Sequence, residues 1–395
     1  MVKYANEKGI PYLAVNGGHG AITTVGRMKN GIEIWMNQLN SVQISEDGKT
    51  AKIGGGTLTK TVTDTLWPAK KQTGHHGLVS DQFVSMNIVL ADGTMQTIDE
   101  ASSPDLWWAM RGAGHNFGIV TSVTSKIYDI EHPDWAYQSF TFTGDKVEDL
   151  YRAINDYQLK NGTQPVDVVN YGFFFNSPDI DPTAPLIAFY ILQEGVTAVD
   201  PIYTTPFADL GPIAMDANGG KYTDLAAWTG NSNESPPCQK VGLVNTRFPI
   251  DLKIYNTKAM RKVYDLFAST TQEIPALNGS LFLYEGYSLQ GVQAIPSEST
   301  AYPYRDDTLL LAPLIIYPPG GPELEKTAAT LGEDLRQILH EGSGQSELHT
   351  YVNYAFGDES TRNMYGYEQW RQDRLLSLKN KYDPERKFSF YAPIA

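Results

Sequence analysis

Cysteine is almost absent from this 395-residue chain. Its one cysteine, Cys238, follows Pro236-Pro237 in a polar stretch, so no intrachain disulfide can form and no CxxC metal or redox motif exists. No histidine lies near it in sequence, and it reads as an incidental loop thiol. The seven histidines show no HExxH or paired spacing, which leaves a zinc site without support. Basic charge is also scarce. The 31 Lys and Arg against 45 Asp and Glu give a formal net charge of -14 with no basic stripe to offset it, so nucleic acid and anionic membrane are excluded as expected partners. No apolar run reaches membrane-spanning length, and the opening Met1 to Glu7 lacks an apolar core. The expectation is therefore a soluble chain with no export signal in this sequence. Internal repeats and low-complexity segments are missing too.

What is present describes an ordinary folded protein with many aromatic hydroxyls: 41% hydrophobic residues, 23 Tyr and 7 Trp. The length suits two domains, or one with a large insertion. The first third is strand-rich and punctuated by glycine. Ile32 to Met36 reads as a strand, Thr50 to Ile53 as another, and Leu58, Val62 and Leu66 share one face of a helix stopped by Pro68. Val84 to Leu90, the Ala91-Asp92-Gly93 turn and Thr94 to Ile98 form a hairpin signature, and Ser103-Pro104 opens a helix. From about Tyr128 the glycine clusters thin out. Aromatic strands such as Tyr171 to Phe175, Leu186 to Ile191, Leu281 to Tyr287 and Leu309 to Ile316 alternate with helices over 146–160, 257–271 and 323–340. This predicts a second, α+β domain on an antiparallel sheet. A helix over 362–381 and an aromatic strand Phe388 to Tyr391 close the chain.

The densest functional signal is Val15-Asn16-Gly17-Gly18-His19-Gly20. Glycines remove side chains where a backbone turns tightly or lies against a flat ligand, and histidine supplies a nucleophile or proton carrier near neutral pH. Alone, the cluster is also compatible with a turn carrying a surface histidine.

Further segments decide between these. Asn16 to Gly20, Leu78-Val79-Ser80-Asp81-Gln82, Leu90 to Gly93, Asp105 to Gly114 and Asn116-Phe117-Gly118-Ile119-Val120 occur in the order found in FAD-linked oxidases. The chain resembles the berberine-bridge-enzyme-like branch in a fungal style, with a vanillyl-alcohol-oxidase (PCMH-type) FAD domain. Tyr351-Val352-Asn353-Tyr354 and Lys381 to Phe388 resemble that family's terminal segment.

The resemblance implies an α+β fold. A PCMH-type FAD-binding domain of two subdomains would span 1–128, an inserted antiparallel-sheet substrate domain 129–350, and a C-terminal segment returning to the first domain 351–395. It implies FAD as cofactor, a small-molecule substrate that gives up a hydride, and dioxygen as acceptor, with a place in secondary metabolism. His19 matches the position of covalent flavin attachment in many members, with Gly17, Gly18 and Gly20 beside it. Leu78, Val79, Asp81, Gly114, Asn116, Gly118 and Ile119 match segments lying along the cofactor, with a hairpin and packed strand as the plainer alternative. Tyr351, Asn353 and Tyr354 match a segment that faces the flavin in similar enzymes, where a tyrosine is the base in several.

Read as a strand, that segment puts Tyr351 and Asn353 on one face and Tyr354 on the other, which favours Tyr351 as base. An ordinary tyrosine near pKa 10 is a poor base at neutral pH, so Arg305 or a second tyrosine would have to lower it. Glu285, a carboxylate in an apolar strand, reads as a second acid–base group, an anchor for bound water, or an exposed strand residue. Tyr302 and Tyr304 are pocket candidates.

The chain departs from the pattern in three places. Gln72-Thr73-Gly74-His75-His76 runs where relatives carry a glycine-rich pyrophosphate loop, Met1 falls within what would be the first helix, and Arg371 stands where relatives often have asparagine. Three readings follow: a flavoprotein oxidase, a flavin-free relative acting as isomerase, cyclase or binding protein, or an inactive truncated product.

Overall fold

The computed structural model describes residues 1–395 except His19, Ala21, His75, His76 and Ala395. Its backbone divides into two compact units, Met1–Glu131 with Gln290–Arg305 and Gly357–Ala395, and His132–Leu289 with Asp306–Phe356. The segment Gln290–Arg305, expected within the substrate domain, belongs to the first unit. Residues 351–356, expected in the terminal segment, belong to the second.

The first unit carries a parallel pair, Tyr12–Val15 with Ile32–Trp35, and a five-stranded antiparallel sheet. The sheet runs in the order Val42–Ile44, Thr50–Gly54, Ile119–Lys126, Phe83–Val89, Met95–Ile98. Strand Phe83–Val89 and its partner Met95–Ile98 flank the turn at Gly93, as the alternating pattern requires. Helix Pro104–Ala113 begins with proline at its first turn, but Ser103 makes no side-chain cap.

Two buried charge systems tie distant segments into this unit. Arg305 donates to both carboxylate oxygens of Asp81, at 2.8 and 2.9 Å, with side chains 3% and 1% exposed. Arg371 donates to Thr300 O at 2.7 Å and to Ser297 Oγ at 3.0 Å, while the Trp108 indole donates to Glu298 O at 2.8 Å. These bonds explain why Gln290–Arg305 sits here: Ser297, Glu298, Thr300 and Arg305 each have a partner elsewhere in this unit. Hydrophobic pattern carries no record of that attachment.

At the C-terminal end, Lys379 donates to Asp383 Oδ2, Asn116 O and Phe388 O at 2.7–2.9 Å, all out of water. Asp383 in turn accepts from the backbone of Lys387 and Phe388. That turn bends the chain, and Phe388 to Tyr391, expected as a strand, is irregular.

The second unit is an eight-stranded antiparallel sheet. Its path is Ala214–Lys221, Asp134–Phe142, Asp181–Glu194, Val168–Ser177, Leu281–Gly286, Leu309–Tyr317, Val244–Arg247, with Ile250–Leu252 also on Leu309–Tyr317. One face is buried by helices Thr257–Glu273 and Pro322–Ser343 over Phe174, Phe189, Phe282, Tyr284, Leu311 and Ile315. Asn256 caps the first helix through Lys258 N and Ala259 N, and Gly344 in the left-handed region ends the second. The opposite face carries Tyr171, Phe173, Leu283, Ala312 and Leu314. Among the described residues no helix is long and apolar enough to cross a membrane.

Asp81→Ala leaves the Arg305 guanidinium buried without its counter-charge. It is expected to lower unfolding stability by about 3–5 kcal/mol, whereas Asp81→Leu with Arg305→Met is expected to lose far less; urea midpoints check both.

Candidate functional site

In the first unit, the glycine cluster leaves strand Tyr12–Val15 as a bend. Gly18 has φ +69°, a conformation glycine adopts without strain. A Cβ on Gly20 would lie 2.4 Å from the Tyr391 ring, so a larger residue there would have to displace that side chain. His19 lies outside the described residues. Leu78 N donates to Asp81 Oδ2 at 2.9 Å, and Asp81 N donates to Leu78 O at 2.9 Å, closing the short turn Val79–Gln82; Val79 is 64% exposed.

At two of the positions expected to lie along the cofactor through their main chain, the side chains are bonded within the protein. Asp81 is committed to Arg305. Asn116 is fully buried and spent on the C-terminal segment, donating to Tyr365 Oη and Ala392 O and accepting from Ile394 N. Beside it, His115 is held neutral, with burial pushing its pKa down to about 4. Gly114 packs against Met110, Gly118 lies at the Val89 carbonyl, and Ile119 is buried with Val2, Ala5, Tyr12 and Met36. Here the packed-strand alternative accounts for what these residues touch.

The second unit assembles the expected acid–base residues, with a different geometry. Val352–Tyr354 is a 3₁₀ turn, not a strand. In a 3₁₀ turn residues three apart eclipse, so Tyr351 and Tyr354 fall on the same side, their rings edge-to-face at 5.3 Å. The expectation that they face opposite ways is overturned. Tyr354 donates its hydroxyl to Glu285 Oε1 at 3.1 Å, Tyr287 donates to Oε2, and Asn353 Nδ2 donates to the Tyr351 hydroxyl at 2.7 Å.

Glu285 is 9% exposed, which excludes the exposed-strand reading. Burial raises its pKa, and the Tyr287 and Tyr354 hydroxyls and the Arg247 guanidinium offset part of that rise. Both tyrosines are pushed above the ordinary phenol value, Tyr354 by burial and then by Glu285, Tyr351 by burial against the bond from Asn353. The cation at this cluster is Arg247, 4.9 Å over the Tyr354 ring, in the role proposed for Arg305. Tyr302 and Tyr304 lie in the first unit, where Tyr304 donates to Arg362 O at 2.7 Å.

Strand register adds what sequence reasoning missed. Asp251, Leu310, Glu285, Tyr171 and Tyr190 stand side by side across five strands, so their side chains share a face. Asp251 is 5% exposed, and its Oδ2 has no hydrogen-bond partner. Burial first, then Asp307 and Glu285, raise its pKa well above the carboxylate range. Asp307 bonds the His349 imidazole at 2.7 Å. A single Asp between Ile250 and Leu252 was the available signal. Among the described residues no group of His, Cys, Asp and Glu is arranged to hold a metal ion.

Comparison with known proteins settles the family. An FAD binding domain model matches residues 1–76, and a "Berberine and berberine like" model matches residues 350–395. The chain is 54% identical to the FAD-linked oxidoreductase chyH of Penicillium rubens, over all of this chain and 83% of that protein. It is 52% identical to chry5 of Gibberella zeae, over all of this chain and 82% of that one. It belongs to the berberine-bridge-enzyme-like FAD-linked oxidoreductases.

Solved structures of the same fold include xylooligosaccharide oxidase of Myceliophthora thermophila, with TM-score 0.79 and 19% identity over all of this chain and 88% of that one. Another is 6-hydroxy-D-nicotine oxidase of Arthrobacter nicotinovorans, with TM-score 0.74 and 21% identity over the same shares. The fold is the expected α+β flavoenzyme fold, and FAD is the family's cofactor. Gly17 and Gly18 leave a backbone without side chains, of the kind that can approach a flat heterocycle. The alignment with chyH runs 417 positions against 395 residues here, so at least 22 positions of that relative have no counterpart, and the FAD-domain match stops at residue 76.

Tyr354→Phe and Arg247→Leu each remove a group that favours the ionised carboxylate. Each is expected to move the Glu285 titration to higher pH, read by carboxyl ¹³C NMR with Glu285→Gln as assignment. Asp251, with its folded pKa raised, contributes stability that is present at low pH and lost as pH rises through the folded value. Asp251→Asn is therefore expected to stabilise the protein at pH 8 relative to the parent and to give no gain near pH 4, in parallel thermal melts.

Proposed function

We propose that this FAD-dependent oxidoreductase is an oxidase that removes a hydride and a proton from a C–H beside an oxygen or nitrogen of a small organic metabolite, with dioxygen as final acceptor. The observation that carries the proton half of this reading is Glu285, a buried carboxylate gripped by two tyrosine hydroxyls. Bound flavin would supply hydride acceptance, with His19 as its point of covalent attachment and the main chain at Gly17, Gly18, Leu78, Val79, Gly114 and Gly118 along it.

Glu285, rather than Tyr351 or Tyr354, is the proton acceptor. Its pKa, raised by burial, lies nearer working pH than that of an ordinary carboxylate, while both phenols are driven further from neutrality. Tyr354 orients the carboxylate and relays between it and the substrate, and Arg247 offsets the negative charge before transfer. Tyr351, held by Asn353, positions the substrate by its hydroxyl. The named sugar and nicotine oxidases share only the fold; their substrates do not transfer. We place the reaction in secondary metabolism.

Purified protein is expected to show flavin absorbance that persists after denaturation and is released in His19→Ala. Anaerobic bleaching by a panel of small alcohols, sugars and amines identifies the substrate class. With the best of them, Glu285→Gln is expected to keep the flavin and slow bleaching by about 10²–10⁴. A colourless, cooperatively folding protein would instead support the flavin-free reading, and a colourless aggregate the truncated one.

A further inference from the structure

The face of the second unit's sheet opposite helices Thr257–Glu273 and Pro322–Ser343 holds a buried carboxyl that no step above uses. Asp251 is on the short strand Ile250–Leu252, whose other two side chains are buried in the main core, so the pleat turns Asp251 to the face of Glu285. Leu310 lies between them in the register. Two interstrand spacings separate their backbones by roughly 10 Å, the span of a small bicyclic molecule. Buried polar atoms almost always have a hydrogen-bond partner, yet Asp251 Oδ2 has none.

The surrounding groups are defined. Asp307 and Glu285 are the negative neighbours that act on Asp251, with Asp307 taken up by His349. Arg247 lies beside Tyr354, and the Tyr351 hydroxyl is engaged by Asn353. Burial and the two carboxylates keep the Asp251 proton in place, so the group meets a ligand as a neutral O–H. An oxygen acceptor takes that proton's bond without moving any charge. An ammonium ligand would have to expel the proton first.

Resting on the oxidase reading above, we infer that Asp251 is a substrate-specificity residue that donates its carboxyl O–H to a carbonyl or carboxamide oxygen of the substrate, about 10 Å from the carbon served by Glu285. The substrate class is thereby narrowed to compact molecules bearing such an acceptor at the end opposite the oxidised C–H.

Two probes of similar size separate this from its rivals: N-methylbenzamide, an acceptor, and benzylammonium, a cation. The protonated-carboxyl C=O band of Asp251 is assigned in difference infrared spectra by its loss in Asp251→Asn. N-methylbenzamide is expected to shift that band to lower frequency. Ligand-observed NMR is expected to show affinity kept within about threefold in Asp251→Asn, which retains an N–H donor, and weakened about tenfold in Asp251→Leu. Leucine removes an unpaired buried polar group and is expected to fold at least as well, with thermal melts as the control.

The inference is overturned if neither probe moves the band, if benzylammonium abolishes it by ionising the acid, or if Asn and Leu weaken binding equally. Glu285→Gln is expected to leave the band shift intact. The infrared result is read whether or not flavin is bound, so a colourless protein with a shifting band would reject the oxidase reading and leave Asp251 as a ligand-binding acid.

Discussion

A carboxyl group taken out of water must be paired, hydrogen-bonded or protonated, because an isolated buried charge costs many kcal/mol. This protein uses all three solutions, and its organisation follows from where each is used. Asp81 is paired with Arg305 and Asp383 with Lys379, and both pairs secure chain segments far apart in sequence. Glu285 is held by tyrosine hydroxyls, and burial brings it nearer protonation. Asp251, whose Oδ2 has no hydrogen-bond partner, is pushed by burial toward its protonated form. Paired acids build the scaffold; unpaired or lightly held ones face the sheet surface that can do work.

The same distinction redistributes the motifs. Segments that in isolation suggest cofactor contact, Leu78 to Gln82 and Asn116 to Val120, use their side chains for internal bonding. Asn116 has every hydrogen-bonding position of its amide directed at the C-terminal segment. Gly114 and Gly118 lie close to Met110 and the Val89 carbonyl. Gly20 lies against the Tyr391 ring. A motif can thus be preserved by packing and by ligand at once, and its letters do not say which.

Much of the fold was legible from periodicity. The helices over 257–271 and 323–340 and the strands at Leu281 and Leu309 stand close to their expected limits, since each has one apolar face against a large core. The site was less so. Tyr351, Tyr354 and Glu285, each singled out from the sequence, lie together in the second unit, but alternation misjudged the tyrosines because the backbone there turns through a 3₁₀ step. Arg305 was read as a cation for the tyrosines, and Arg247 occupies that place. Charge partners are chosen across strands, and spacing along the chain is silent about them.

By itself, the sequence determined the α+β class, the acidic surface, the family and its cofactor, because patterning and motif order are written residue by residue. Tertiary structure decided which carboxylates are paired, that Gln290–Arg305 returns to the first unit, and that Asp251 and Glu285 share one row. Those outcomes depend on strand register and on desolvation. Both arise only when segments far apart in the chain are brought side by side and water is removed from between them.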